Sequence, residues 1–154
     1  KIINLFEGNV MTDKIFVDTN VWVYLYLHDD EEKYKIAEEY LLGNNQNAVF
    51  IITWQIINEV SNTLLRYKYT ESEIRKYIEQ LFKVCTIQDF TKEIVLTASS
   101  LREKYSFSFW DSIVVGSALF AECNILVSED MQNGLKVEEK LIIKNIFENT
   151  PNFA

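Results

Sequence analysis

Apolar positions along the chain fall into short β-rich runs that alternate with longer stretches of helical period. Lys14-Ile15-Phe16-Val17-Asp18 reads as a buried strand, because β-branched and aromatic residues follow one another without polar alternation. Thr19 to Leu27 is apolar nearly throughout and predicts a helix against the sheet. In Asp30 to Leu42, Tyr34, Ile36, Ala37, Tyr40 and Leu41 recur at helical spacing, and Gly43 is the expected stop. Ala48 to Thr53 predicts a second strand, and Trp54 to Tyr67 a helix with Ile56, Ile57, Val60 and Leu64 on one face. Thr70-Glu71-Ser72-Glu73 has the form of a capping box and starts the next helix, to about Phe82. A third strand is expected over Val84 to Ile87, helices over Thr91 to Tyr105 and Ser108 to Cys123, a fourth strand over Asn124 to Val127 and a fifth over Leu141 to Ile146. Strands separated by helices imply an α/β fold with a central parallel sheet of four to five strands, covered by helices on both faces. In such sheets ligands bind beyond the carboxyl ends of the strands, where the strand order switches.

Length and composition bound this picture. At 154 residues the chain is expected to form one domain. We place it over residues 11–150, with 1–10 as a leader ahead of the start-like Met11 and 151–154 as a tail marked by Pro151. No apolar run approaches the roughly 20 residues of a membrane helix, and a cytoplasmic protein without membrane contact is expected. Four glycines allow neither a G-x-G-x-x-G nor a Walker A loop. One histidine and two cysteines cannot build a zinc cluster. His28 is the sole candidate for a histidine-based triad, and Cys85 and Cys123 read as buried free thiols, with a disulfide between them as the alternative. Acids exceed bases by 23 to 15, a formal charge of −8, which argues against nucleic-acid binding by a broad basic surface.

Four acids stand where the predicted elements make them conspicuous. Asp18 ends the first strand, where an N-cap or Asx turn is the alternative role. Glu59 lies about 60° round its helix from Ile56, at the edge of the apolar stripe, and could simply reach solvent. Asp111 shares a face with Val114, Val115 and Ala118, though Ser108-Phe109-Trp110-Asp111 also matches a capping box. Asp130 follows the fourth strand and could be an ordinary loop acid. If the strand ends converge, these carboxylates gather with no His, Cys or obvious Arg to neutralise them. Like charges so placed raise one another's pKa or call for a cation. Oxygen ligands select a hard divalent ion, Mg²⁺ or Mn²⁺, which suits phosphoryl chemistry.

The segments Phe16-Val17-Asp18-Thr19-Asn20, Asn58-Glu59-Val60, Phe109 to Ala118 and Leu126 to Gly134 together resemble those of PIN-domain proteins, and within that family the VapC-type toxins of toxin–antitoxin pairs. The likeness runs from about Lys14 to the end of the chain. It implies a PIN-like fold, an acidic pocket for one or two Mg²⁺ or Mn²⁺ ions, and metal-dependent endoribonuclease activity. Carried over residue by residue, Asp18, Glu59, Asp111 and Asp130 match the acidic quartet, with Asn20 and Ser128 as supporting polar positions and Thr19 beside them. Asp18 and Asp111 would hold the principal ion, while Glu59 and Asp130 complete the charge or hold a second. The resemblance also implies an RNA substrate, a small antitoxin partner and a homodimer. Bases between Arg66 and Lys83, Arg66 and Lys68 first among them, are candidates for the RNA backbone, or else part of a solvated helix face. Trp22, Trp54 and Trp110 could serve core or interface.

Two other classes fit parts of the pattern. A phosphoaspartyl protein would also carry acids at strand ends. The phosphatase form wants a second Asp where Asn20 stands, and the receiver form wants a strand-end Lys, a setting that none of Lys136, Lys140 and Lys144 offers convincingly. A non-catalytic module using its aromatic surface is the other. The acid excess fits a nuclease too, since such a site must be acidic to hold its cations and bound ions reverse the local sign.

Overall fold

In β1 (Asp13–Val17), Ile15, Phe16 and Val17 are all fully buried, as a strand flanked on both edges and both faces requires. The computed structural model describes residues 12–148; the expected leader and the tail with Pro151 lie outside them. From β1 the chain continues through α1 (Thr19–Leu27), α2 (Glu31–Asn44), β2 (Ala48–Thr53), α3 (Trp54–Arg66), α4 (Glu71–Val84) and β3 (Cys85–Gln88). It then forms α5 (Lys92–Tyr105), α6 (Phe109–Phe120), β4 (Ile125–Val127), β5 (Lys136–Val137) and β6 (Leu141–Lys144).

One sheet results, in the order β3-β2-β1-β4-β6-β5, parallel except for β5 and flanked by helices. The first three strands step outward from β1 in one direction, and β4 and β6 are added on its other edge. The order therefore switches between β1 and β4. Backbone bonds continue the pairing just past the strands: Asp18 N–H donates to the Val127 carbonyl at 3.0 Å across the β1–β4 junction, and Ser128 N–H to that of Lys144 at 3.1 Å between β4 and β6.

The capping box read in the sequence is made: Thr70 and Glu73 cap α4 reciprocally. Thr91, expected as the first helical residue, is instead the N-cap of α5 and accepts from the Ile94 N–H. Three further readings need correction. The sheet has six strands, not four to five: β6 is the expected fifth, but β5, only two residues long, is too short to show a period. Gly43 lies inside α2, which leaves through Asn45 in right-handed backbone, so no glycine is needed to turn the chain. α6 ends at Phe120 rather than Cys123, because Glu122 adopts φ 59° and closes the helix without a glycine.

α6 carries Asp111, and its seat against α5 depends on Gly116. A Cβ at that position would lie 3.2 Å from the Ile94 carbonyl oxygen and 3.4 Å from the Ala98 nitrogen, both backbone atoms that cannot swing aside. Gly116→Val should therefore cost about 1–3 kcal/mol through overpacking. Gly43→Ala, where a Cβ meets nothing within 4 Å and the backbone is already helical, should gain up to about 1 kcal/mol. Thermal unfolding of the two variants checks the contrast; equal melting temperatures would contradict it.

Candidate active site

Asp18 is the first residue after β1 and the N-cap of α1, so the capping role considered for it is made. Its Oδ1 accepts from the Thr19 N–H at 2.8 Å and its Oδ2 from Ser128 Oγ at 2.8 Å. Ser128 is itself buried and stands directly after β4. The switch in strand order thus delivers a carboxylate from one strand and the hydroxyl that holds it from the next. Burial pushes the Asp18 carboxyl up to about 6, against the pull of the Ser128 and Thr19 bonds and with help from the charges of Glu59 and Asp130.

Glu59 projects from α3 and is half-buried. Its Oε2 accepts a short bond from Thr19 Oγ1, and its Oε1 accepts from Gln55 Nε2 at 2.9 Å, one turn earlier. Asp130 is more open. Its Oδ2 accepts from Asn20 Nδ2 at 3.1 Å, and its N–H reaches Ser128 Oγ at 3.4 Å. Its pKa is raised by burial and by the charges of Glu129 and Asp111, while the Asn20 bond and Lys33 work the other way.

Asp111 sits in the first turn of α6, where its N–H donates to Ser108 Oγ at 3.1 Å. Only this half of the capping box is made. Among the described residues nothing donates a hydrogen bond to the Asp111 carboxylate, although the residue is half-buried. Neighbouring acids have donors; this one lacks a compensating group.

All four acids line one cleft of about 280 Å³, together with Thr19, Asn20, Gln55, Asn62, Thr63, Arg66, Trp110 and Val114. Each acid comes from a different segment, so the sheet's switch point brings them together. Among the described residues, however, no three His, Cys, Asp or Glu side chains form a ready-made metal cluster. The donor set suits an ion that keeps most of its waters. Mg²⁺ does so, and is commonly held by one or two carboxylates with water completing its octahedron.

Other candidates fall on either side of the cleft. Arg66 reaches its wall, with Nη2 3.4 Å from Thr63 Oγ1. It makes no ion pair with the four acids among the described residues. Lys68 does not line the cleft; it is exposed beyond the end of α3 with φ 67°. His28 closes α1 in left-handed backbone, bonds Glu31 Oε2 at 2.7 Å and stacks on Tyr34; among the described residues its ring bonds no Ser, Thr or Cys, so the triad is not made. Cys85 and Cys123 are free, but Cys85 is only half-buried; burial pushes each thiol up to about 12, so neither is a ready nucleophile. Lys144, contrary to the sequence reading, does end β6, yet its ammonium lies 5.1 Å over the Tyr40 ring and it does not line the acidic cleft. The receiver-type arrangement of acids and lysine is therefore not made.

Sequence reasoning missed Gln55, Asn62 and Thr63. A signal existed: with Glu59 and Arg66 they fall three and four residues apart, a polar stripe beside the apolar one on α3. Trp110 was weighed only as core or interface. The structure separates the tryptophans: Trp22 is 2% exposed, Trp54 48% and Trp110 63%. Trp54 and Trp110 flank a second, apolar cavity of about 850 Å³ with Phe90, Val95 and Phe109, and this cavity shares Gln55, Glu59, Asn62 and Trp110 with the acidic cleft.

Comparison with known proteins identifies the family and the fold. The family described as PIN domain matches residues 15–133. Among solved structures, a toxin–antitoxin complex from Klebsiella pneumoniae has a similar fold, with TM-score 0.65 and 16% identity over 88% of this chain and 99% of that one. VapBC2 from Rickettsia felis, bound to a DNA fragment from its promoter, gives TM-score 0.62 and 16% identity over 86% and 98% of the two chains. VapC20 from Mycobacterium tuberculosis, a sarcin-ricin loop cleaving toxin, gives 0.58 and 18% over 73% and 86%. No curated protein sequence matches the chain.

Proposed function

The chain belongs to the PIN-domain family, and from that premise we propose that it is a metal-dependent endoribonuclease, the toxin of a toxin–antitoxin pair. The observation that carries the reading is the cleft at the β1–β4 switch, lined by Asp18, Glu59, Asp111 and Asp130 with no hydrogen-bond donor on the Asp111 carboxylate among the described residues. Asp18 and Asp111 would hold a divalent ion, Mg²⁺ or Mn²⁺, with Glu59 and Asp130 completing the charge, partly through water. When bound, such an ion supplies activation of a water nucleophile and stabilises charge on the phosphoryl oxygens of a phosphodiester. The protein's own groups do the rest. Ser128 and the Thr19 N–H fix both oxygens of Asp18; Thr19 and Gln55 fix both oxygens of Glu59; Asn20 steadies Asp130. Arg66, on the wall and without an acidic partner among the described residues, would meet a flanking phosphate. The antitoxin is read as a basic segment drawn to the acidic cleft. A second copy of the chain is assigned to the apolar surface around Trp54, Phe90, Val95 and Phe109, which is larger than scattered exposed side chains would give.

The test is cleavage of structured and unstructured RNA with Mg²⁺ or Mn²⁺ and with EDTA. Cleavage with either ion and none in EDTA is expected. Absence of cleavage on every substrate at saturating metal would leave only a binding module on the PIN fold.

A further inference from the structure

Glu129 stands between Ser128 and Asp130 but does not line the cleft. Its Oε2 accepts from the Tyr24 hydroxyl of α1 at 2.6 Å, and its Oε1 is paired with the Lys33 ammonium of α2. Lys33 also donates to the Tyr24 oxygen at 2.9 Å, which closes a three-membered ring of polar groups. Tyr24 is held in turn by the edge of Phe147, with ring centroids 5.0 Å apart. From the other side, Asn145 Nδ2 reaches the Glu129 backbone carbonyl at 3.3 Å. The segment that carries Ser128 and Asp130 is thus anchored at its middle residue by two helices and by the chain beyond β6.

The sign of the charge makes this anchor informative. A lysine within Coulombic reach of Asp130 opposes cation binding, so its charge alone would harm an acidic metal cleft. Nor is a partly exposed ion pair worth much to stability. What the ring does accomplish is geometric: it fixes the place from which Ser128 reaches Asp18 and Asp130 reaches Asn20. We infer that Lys33 and Tyr24, acting through Glu129, are positioning residues that hold the Ser128–Asp130 segment in register with Asp18 and so set the cleft's affinity for a divalent cation. The inference rests on reading the cleft as a cation site.

Mn²⁺ titration of the full chain, followed by the electron-paramagnetic resonance of the free ion, tests it without recourse to activity. Lys33→Met and Tyr24→Phe should each weaken Mn²⁺ binding about 10-fold, the lower end of the range for groups that orient metal ligands. Lys33→Arg, which keeps the charge and the pair, should stay near wild type. If Lys33 acted only by its charge, Lys33→Met would bind Mn²⁺ more tightly and Tyr24→Phe would not change; either result overturns the inference. If Lys33→Met does not fold, by circular dichroism and metal-free melting, Tyr24→Phe decides alone, since it removes a single hydroxyl. Wild type that binds Mn²⁺ beside variants that bind equally well sinks the positioning role and spares the cation site. Wild type that binds none removes both.

Discussion

Asp18→Asn should slow RNA cleavage about 10²–10³-fold and, in the absence of metal, make the protein more stable at neutral pH. The loss of activity follows from the carboxylate's place between Ser128 and the other three acids; removing a group that supports charge in a reaction centre typically costs about 10²–10³-fold. The gain in stability follows from burial. The Asp18 carboxyl rises from an ordinary 3.8 to about 6 on folding. Its protonated form is therefore the one the fold prefers. Well below pH 3.8 both folded and unfolded chains are protonated there and nothing is lost. As pH rises towards 6 the unfolded chain releases its proton first, and stability falls until, above 6, the ionised group costs about 2–3 kcal/mol. Asparagine removes that cost, keeps Oδ1 for the Thr19 N–H, and offers Ser128 Oγ a donor in place of an acceptor. Differential scanning calorimetry with EDTA should show the variant melting higher than wild type by on the order of 5–10 °C at pH 7.5 and level with it near pH 3, below the unfolded carboxyl's ordinary 3.8. Added Mg²⁺ should raise the wild-type melting temperature and leave the variant unmoved, because only a state that binds the ion is stabilised by it. A variant that cleaves RNA as fast as wild type would end the proposal.

That trade between stability and function explains which parts of the molecule could be read from sequence. β1 was legible because Ile15-Phe16-Val17 has no polar residue to spare, and the capping box of α4 was legible because its bonds are local. Asp18, Glu59, Asp111 and Asp130 were visible as acids that sit awkwardly beside apolar positions. Their partners were only partly visible. Asn20 and Ser128 lie 110 residues from Asp130 and Asp18, and nothing local in either segment names the other. β5 was missed because two residues carry no period, and Gly43 misled because glycine ends helices only where the chain must turn left-handed. The ring of Tyr24, Lys33 and Glu129 spans three segments and had no signature at all; only the fold brings its members together.

The acids differ in how they are held, and that difference should appear as graded loss. Asp111 is fixed on a helix seated closely against α5 and accepts no hydrogen bond from the described residues. Asp111→Asn should therefore cost the full 10²–10³-fold in cleavage, about as much as Asp18→Asn. Its effect on metal-free stability should be the reverse in sign and small, since a first-turn carboxylate gains about 0.3–1 kcal/mol from the helix N-terminus and asparagine forfeits it. Asp130 is exposed, and its carboxylate already accepts from Asn20. Asparagine there keeps an oxygen in place, so Asp130→Asn should lower cleavage only about 10-fold, as for a group that acts through water or through its neighbours. The Asp111 charge also helps to raise the Asp130 pKa. Asp111→Asn should therefore let Asp130 ionise at lower pH, which ¹³C-resolved carboxyl titration can follow in EDTA. In wild type the proton on Asp18 competes with the metal below pH about 6, so Mn²⁺ affinity should fall as pH drops through that value. In Asp18→Asn whatever weak binding remains should show no such fall. Equal losses at Asp111 and Asp130 would mean that the open acid is as directly engaged as the half-buried one, and the division of labour drawn from their hydrogen bonds would be wrong.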